Sequence, residues 1–144
     1  ATIRRQRQMC IRDRYSKWST NKEINTANAI SHAACAVSRS QRIGVLATMT
    51  HSGYTARMAA RYRPASKIIA LTPFKKTCRK LAIVWGVSPA LVKNYKSADE
   101  IPEVANEELQ KLGLIKKGEN FVVTGGVPVG ISGTTNYLTV LTGT

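Results

Sequence analysis

IGVLATMTHSGYTARMAARYRP, Ile43 to Pro64, changes periodicity partway along, and that change decides the fold. IGVLA is a short continuous apolar run of the kind that forms a buried strand, whereas ARMAARYR, from Ala56, repeats at helical spacing until Pro64 stops it. The polar segment between them, Thr48 to Arg57, is therefore a strand-to-helix turn. A helix start leaves backbone N–H groups without intrahelical partners and carries the positive end of the helix dipole, which suits a phosphate. Gly53 lets the backbone approach closely, Thr50, Ser52 and Thr55 supply hydroxyl donors, and His51 adds charge if a neighbouring phosphate favours its protonated form. Ser and Thr are also favoured as plain helix caps, so on this stretch alone phosphate binding and simple capping both stay open.

Outward from this turn, strands and helices alternate. NKEINTANAISHAACAVSR, Asn21 to Arg39, puts Ile24, Ala27, Ile30, Ala34 and Val37 at helical spacing and predicts a long helix with an alanine-rich packing face. Strand one runs from Ile43 to Met49, and the helix after the turn reaches Tyr62. KIIALT, Lys67 to Thr72, is strand two, and Pro73 opens a short helix ending at Leu81. AIVWGV, Ala82 to Val87, reads as strand three, ended by Ser88 and Pro89, with Trp85 in the core. SADEIPEVANEELQKLG is a helix with an acidic start and Gly113 as its C-terminal stop. NFVVTGG and NYLTVLTG are strands four and five, joined by VPVGISGTT.

This order predicts an α/β fold: a three-layer α/β/α sandwich around a five-stranded, mostly parallel sheet. No helix separates strands four and five, so the last strand is expected to be antiparallel at an edge. Ligands of open α/β sheets gather beyond the carboxyl ends of the strands. The Thr50 turn and the glycine-bearing loop from Gly125 to Gly133 both leave such ends and are expected to form one pocket rich in backbone amides.

A chain of 144 residues suits one domain. Its formal charge of +14 is partly carried by RRQRQMCIRDR, Arg4 to Arg14, which resembles the translation of a transposase-type sequencing adaptor: ATG TGT ATA AGA GAC encodes Met9 to Asp13. Residues 1–20 are accordingly read as an adaptor-like or connecting segment outside the fold, and 21–144 as the domain. Without Arg4 to Arg14 the charge is +10, scattered over helices and turns as on a solvated surface. Nucleic-acid binding would need a contiguous basic stripe with interleaved aromatics, and no recognised motif is present, so no nucleic-acid partner is expected. With no long apolar run and no apolar region after the basic start, no membrane association and a cytoplasmic location are expected.

Cys10, Cys35 and Cys78 have no metal-ligand spacing; Cys35 and Cys78 read as reduced and mostly buried. Asp99, Glu100, Glu103, Glu107 and Glu108 read as a solvated, dipole-stabilised helix face, not a metal site. His32 has no placeable nucleophile or acid beside it and reads as a surface or interface residue. Arg57, Arg61 and Arg63 read as a helix face turned to solvent or a neighbouring subunit, with joint anion binding as the other reading.

ANAISHAA at 27–34, THSGYTARMAARYRP at 50–64, IIALT at 68–72, LAIVWGVSP at 81–89 and GLIKKGENFVVTGGVPVGISGTTN at 113–136 follow one another in the order found in one family. The chain resembles the C-terminal α/β domain of pyruvate kinase, the bacterial members especially. The resemblance implies that catalysis, with its phosphoenolpyruvate, divalent-metal (Mg2+) and potassium (K+) sites, belongs to a separate (β/α)8 barrel. No cofactor is then expected in this domain, no catalytic residue, and no activity of the chain alone. It implies instead a regulatory effector site and a subunit interface of a homotetramer. Thr50, His51, Ser52, Gly53 and Thr55 match the turn that grips an effector phosphate. Val127 to Gly133 match the loop that closes over the effector, so Gly126, Val127, Pro128, Gly130, Ser132 and Gly133 are its expected residues here. Where fructose-1,6-bisphosphate-activated animal relatives use arginine for a second phosphate, this chain has the acidic stretch around Ile101. A monophosphate, a sugar phosphate or a nucleoside monophosphate, is therefore the expected effector, with pH dependence through His51. The other function the sequence allows is a free-standing phosphometabolite-binding module.

Overall fold

The computed structural model describes residues 25–144; Arg4 to Arg14, Cys10, Asn21 and Ile24 lie outside the described residues. Asn25 is extended, with ψ 164°, and its Oδ1 accepts from the Asn28 amide at 2.9 Å, which caps helix α1, Thr26–Ser40. The described helix therefore begins at Thr26, and the expected start at Asn21 lies outside the described residues. Then follow β1 (Val45–Met49), α2 (Tyr54–Arg61), β2 (Lys67–Thr72), α3 (Lys75–Leu81) and β3 (Val87–Leu91). A 3-10 turn at Ala98–Glu100 leads into α4 (Ile101–Lys111), and β4 (Asn120–Gly126) and β5 (Thr135–Thr142) complete the fold.

The sheet order is β3-β2-β1-β4-β5. β1 is parallel to both β2 and β4, β2 is parallel to β3, and β4–β5 is antiparallel, with β5 at the edge as expected. All five residues of β1 are buried, and they alternate between two cores. Val45, Ala47 and Met49 join Ile69, Leu71, Phe121 and Val123 against Ile101, Val104, Ala105 and Leu109 of α4 and its start. Leu46 points the other way, with Ile68, Ala70 and Val122, against Ala34 and Cys35 of α1, Ala56 and Ala59 of α2 and Leu81 of α3. Helices therefore cover both faces, as the three-layer reading expects. The small residues Ala34, Ala56 and Ala59 let α1 and α2 approach, and the Cys35 thiol donates to the Ala59 carbonyl at 3.8 Å. Burial pushes that thiol up to about 12 and keeps it protonated. Cys78 is only half-buried.

Strand three is corrected. Residues 82–86 form a turn after α3, with Ile83 90% and Trp85 58% exposed, and the strand is VSPAL, Val87–Leu91. Pro89 was expected to end the strand but sits inside it, opposite Ala70. β3 pairs only with β2, so its outer side has no ladder partner and a residue without an N–H is tolerated there. Trp85 is likewise not core: the Arg63 guanidinium lies 4.7 Å from its ring centroid, a cation–π contact at the surface. At the end of α4, Gly113 adopts φ +70°, the left-handed turn that a helix C-terminus favours.

Urea unfolding should separate the two apolar groups. Phe121→Ala should cost about 3–5 kcal/mol, whereas Ile83→Ser should stay within about 0.5 kcal/mol. Equal losses would return Ile83 to the core.

Candidate functional site

From β1 the chain proceeds outward through β2 to β3, whereas β4 lies on the opposite side of β1. The order of strands therefore reverses between β1 and β4, and a crevice opens beyond their carboxyl ends. The Thr50 turn continues β1 and the 127–134 loop continues β4, and both wall one cavity. Thr50, His51, Ser52 and Thr55 line it from one side, and Gly126, Gly130, Ser132 and Gly133 from the other. Gly53, Val127 and Pro128, the remaining expected residues, do not line it. Gly53 is a structural pivot: it precedes α2 with φ +91°, and a Cβ there would come 3.0 Å from the Leu81 side chain. Val127 is held from behind, since its N–H donates to Asn136 Oδ1 at 2.8 Å and its carbonyl accepts from Asn136 Nδ2 at 2.6 Å. The Val127–Pro128 peptide is cis.

Capping and ligand-binding capacity coexist in the turn. Thr50 Oγ1 accepts from the Gly53 amide at 2.8 Å and Ser52 Oγ from the Tyr54 amide at 3.4 Å. Ser52 Oγ also accepts from the Ser132 hydroxyl at 2.8 Å, which ties the turn to the facing loop. Both Thr50 and Ser52 act as acceptors in these bonds, so each retains a hydroxyl proton to donate. Thr55 differs: its hydroxyl shares a 2.9 Å bond with Thr135 in a buried position and fastens α2 to β5. Gly53, the N-cap of α2, has no side chain to cap the helix, and of the first-turn amides, where the dipole is positive, that of Tyr54 is met by Ser52.

The cavity lining contains no Lys, Arg, Asp or Glu among the described residues. His51 is the titratable cation, and it is wedged between Phe74, 5.5 Å away, and Tyr95, 5.0 Å away, with its carbonyl accepting from Thr77 Oγ1 at 2.7 Å. This burial lowers its pKa from 6.5. Ile101, beside the position expected for a second phosphate, is wholly buried in the core. Sequence reasoning missed Tyr95, Thr134 and Asn136. Tyr95 sits in the connection after β3, and nothing in its neighbours in the chain signals that it reaches His51. His32 lies on α1, half-buried, with its ring edge-on to Tyr62 at 5.5 Å.

An open, mostly parallel sheet with helices on both faces and a donor-rich crevice at its reversal point defines an α/β domain. The chain belongs to the pyruvate kinase family, as its C-terminal α/β domain: residues 28–141 match the family model described as pyruvate kinase, alpha/beta domain. It is 38% identical over 120 residues to the pyruvate kinase of Clostridium acetobutylicum, covering 83% of this chain and 25% of that protein. To the pyruvate kinase of Sporosarcina psychrophila it is 38% identical over 117 residues, covering 81% of this chain and 20% of that one. The fold matches Cryptosporidium parvum pyruvate kinase in complex with ADP, with a TM-score of 0.79 at 24% identity over 93% of this chain and 27% of that chain. The chain thus spans a quarter or less of the length of these two curated relatives.

Two outcomes follow from the geometry. A Cβ on Gly126 would stand 2.5 Å from the Thr134 carbonyl oxygen, so Gly126→Ala should displace the 127–134 loop and lower the unfolding midpoint; an unchanged midpoint would contradict the contact. The second concerns pH. Because burial lowers the His51 pKa, the unfolded chain takes up this proton first, so the stability held above pH 6.5 is lost as pH falls through the lower folded value. Between about pH 7.5 and about pH 5, urea titrations should show a steeper loss for the wild-type chain than for His51→Phe. Parallel curves would rule out the His51 linkage.

Proposed function

We propose that this domain is the regulatory part of a pyruvate kinase: it binds a phosphorylated small-molecule effector in the crevice and passes the effect on to a catalytic barrel outside this chain. The parent enzyme would transfer phosphate from phosphoenolpyruvate to ADP, in the cytoplasm, as a homotetramer to which this domain contributes an interface. The Mg2+ and K+ of that reaction would belong to the barrel, and no step of phosphoryl transfer falls to the residues described here.

The observation that carries the reading is the pairing of Thr50 and Ser52. Both hydroxyls are oriented by accepting a backbone N–H, both keep a proton to donate, and both stand at the start of α2, whose N-cap Gly53 has no side chain. Gly130 and Gly133, on the facing loop, leave room for backbone amides to approach an oxyanion. The lining is neutral apart from His51, which favours one phosphate over two. A bisphosphate would bring its second phosphate toward the acidic stretch Asp99 to Glu103 around Ile101. A monophosphate such as a sugar phosphate or nucleoside monophosphate fits better. Regulation then follows from differential affinity: an effector that prefers one subunit arrangement shifts the population toward it.

The test is thermal unfolding of the full chain with ribose 5-phosphate, glucose 6-phosphate, AMP, fructose 1,6-bisphosphate and inorganic phosphate. A ligand at one hundred times its Kd adds about 2.7 kcal/mol. A selective rise in midpoint with a monophosphate, abolished by Ser52→Ala combined with Ser132→Ala, is the expected result. No rise with any of the five would remove the effector reading.

A further inference from the structure

The other end of α2 carries a second feature, remote from the crevice. Arg61 ends the helix and Arg63 follows it before β2, while Trp85 precedes β3, so both segments lie at the amino ends of the parallel strands. There, Arg57, Ala60, Arg61, Arg63, Val84 and Trp85 line a shallow, open groove. Ile83, 90% exposed, and Trp85, 58% exposed, stand next to each other in the turn that borders it. Arg63 holds φ +44°, a left-handed conformation that costs free energy in a residue with a side chain, and its guanidinium lies over the Trp85 ring.

Charge isolates this groove. No Asp or Glu occurs between Glu23 and Asp99, so α1, α2 and α3 carry cations without a single carboxylate. α3 itself carries Lys75, Lys76, Arg79 and Lys80. The acidic residues of the described chain are Asp99 to Glu108, on α4 and its approach across the sheet, and Glu119. Two of them already pair locally, Glu107 with Lys93 at 3.2 Å and Glu108 with Lys111 at 3.8 Å.

We propose that this groove is a docking surface for an acidic protein segment that also carries apolar side chains. Arginine offers carboxylates a planar fork of donors, and Arg and Trp together are the residues that most often dominate protein–protein binding energy. Exposed Ile83 and Trp85 provide the apolar contact that a purely electrostatic partner would not need. The observations favour protein over single-stranded nucleic acid, since Arg63 already takes one face of Trp85 and the exposed aliphatic Ile83 beside it offers no stacking surface for a base.

Fluorescence anisotropy of a labelled random copolymer of glutamate and tyrosine, titrated with the full 144-residue chain, tests this. Poly-glutamate and a single-stranded oligothymidylate serve as comparison probes. The copolymer should bind more tightly than either. Arg57→Glu with Arg61→Glu should weaken it roughly tenfold or more, and Trp85→Ala should weaken it without weakening poly-glutamate. Lys116→Glu with Lys117→Glu makes the same charge change in the α4–β4 turn and should leave binding nearly unchanged. Equal losses from the two double variants would reduce the effect to net charge and overturn the proposal. Tighter oligothymidylate binding, sensitive to the Arg57 and Arg61 changes, would overturn it in favour of nucleic acid. Circular dichroism of each variant checks that the exposed substitutions leave the fold intact.

Discussion

Parallel pairing of β1 on both of its sides is the constraint on which the rest of the structure depends. With β2 paired along Val45 to Met49 and β4 along Leu46 to Thr48, the middle of this strand is held in ladders on both sides, and with helices on both faces its side chains enter two cores. The Thr50 amide still bonds the Leu71 carbonyl of β2 at 3.0 Å, so the chain leaves the ladder only beyond Thr50. Threonines mark the passage from core to crevice. Thr48 donates to the Ile69 carbonyl at 3.4 Å and Thr124 to the Tyr137 carbonyl at 2.8 Å, while Thr72 accepts from the Phe74 amide at 3.3 Å. Each of these three buried hydroxyls thereby has a partner.

The crevice is lined by hydroxyls, glycines and His51 with no Lys or Arg among the described residues, so the anion binding proposed for it would rest on neutral donors inside a strongly basic chain. A pocket full of lysines would hold any phosphate; one built from oriented hydroxyls, helix-start amides and glycines selects by shape as well as charge. The chain's many cations lie elsewhere. They are concentrated on the helices of one face, and the carboxylates on the other, so that α2 has the neutral crevice at its start and the basic groove at its end. One short helix thus connects two surfaces of different chemistry, and a displacement of its axis would be felt at both.

Most elements were legible because their periodicity is local. Strand two, strand four and the helix from Tyr54 announce themselves by apolar runs and stop signals that act within a few residues of the chain. The third strand was misplaced because AIVWGV is more apolar than VSPAL, and composition favoured the wrong segment. What decided the matter is that an edge strand needs partners on one side only, which admits Pro89, and that Trp85 is covered by a guanidinium from another element. In the site, the turn residues were legible as a cap and the loop glycines as close-approach positions. Tyr95 and Asn136 were not, since their roles rest on contacts with His51 and Val127 that no spacing along the chain encodes.

By itself the sequence determined the alternation of strands and helices, the single antiparallel connection, and the two loops that leave strand ends, because each follows from how neighbouring residues share a face or fail to. Only the tertiary structure decided which apolar run is interior, that the two loops meet through Ser52 and Ser132, and that the arginines at the end of α2 gather around Trp85. Those outcomes depend on which elements become neighbours once β1 takes the centre of the sheet, and neighbourhood in space is set by packing the whole chain at once.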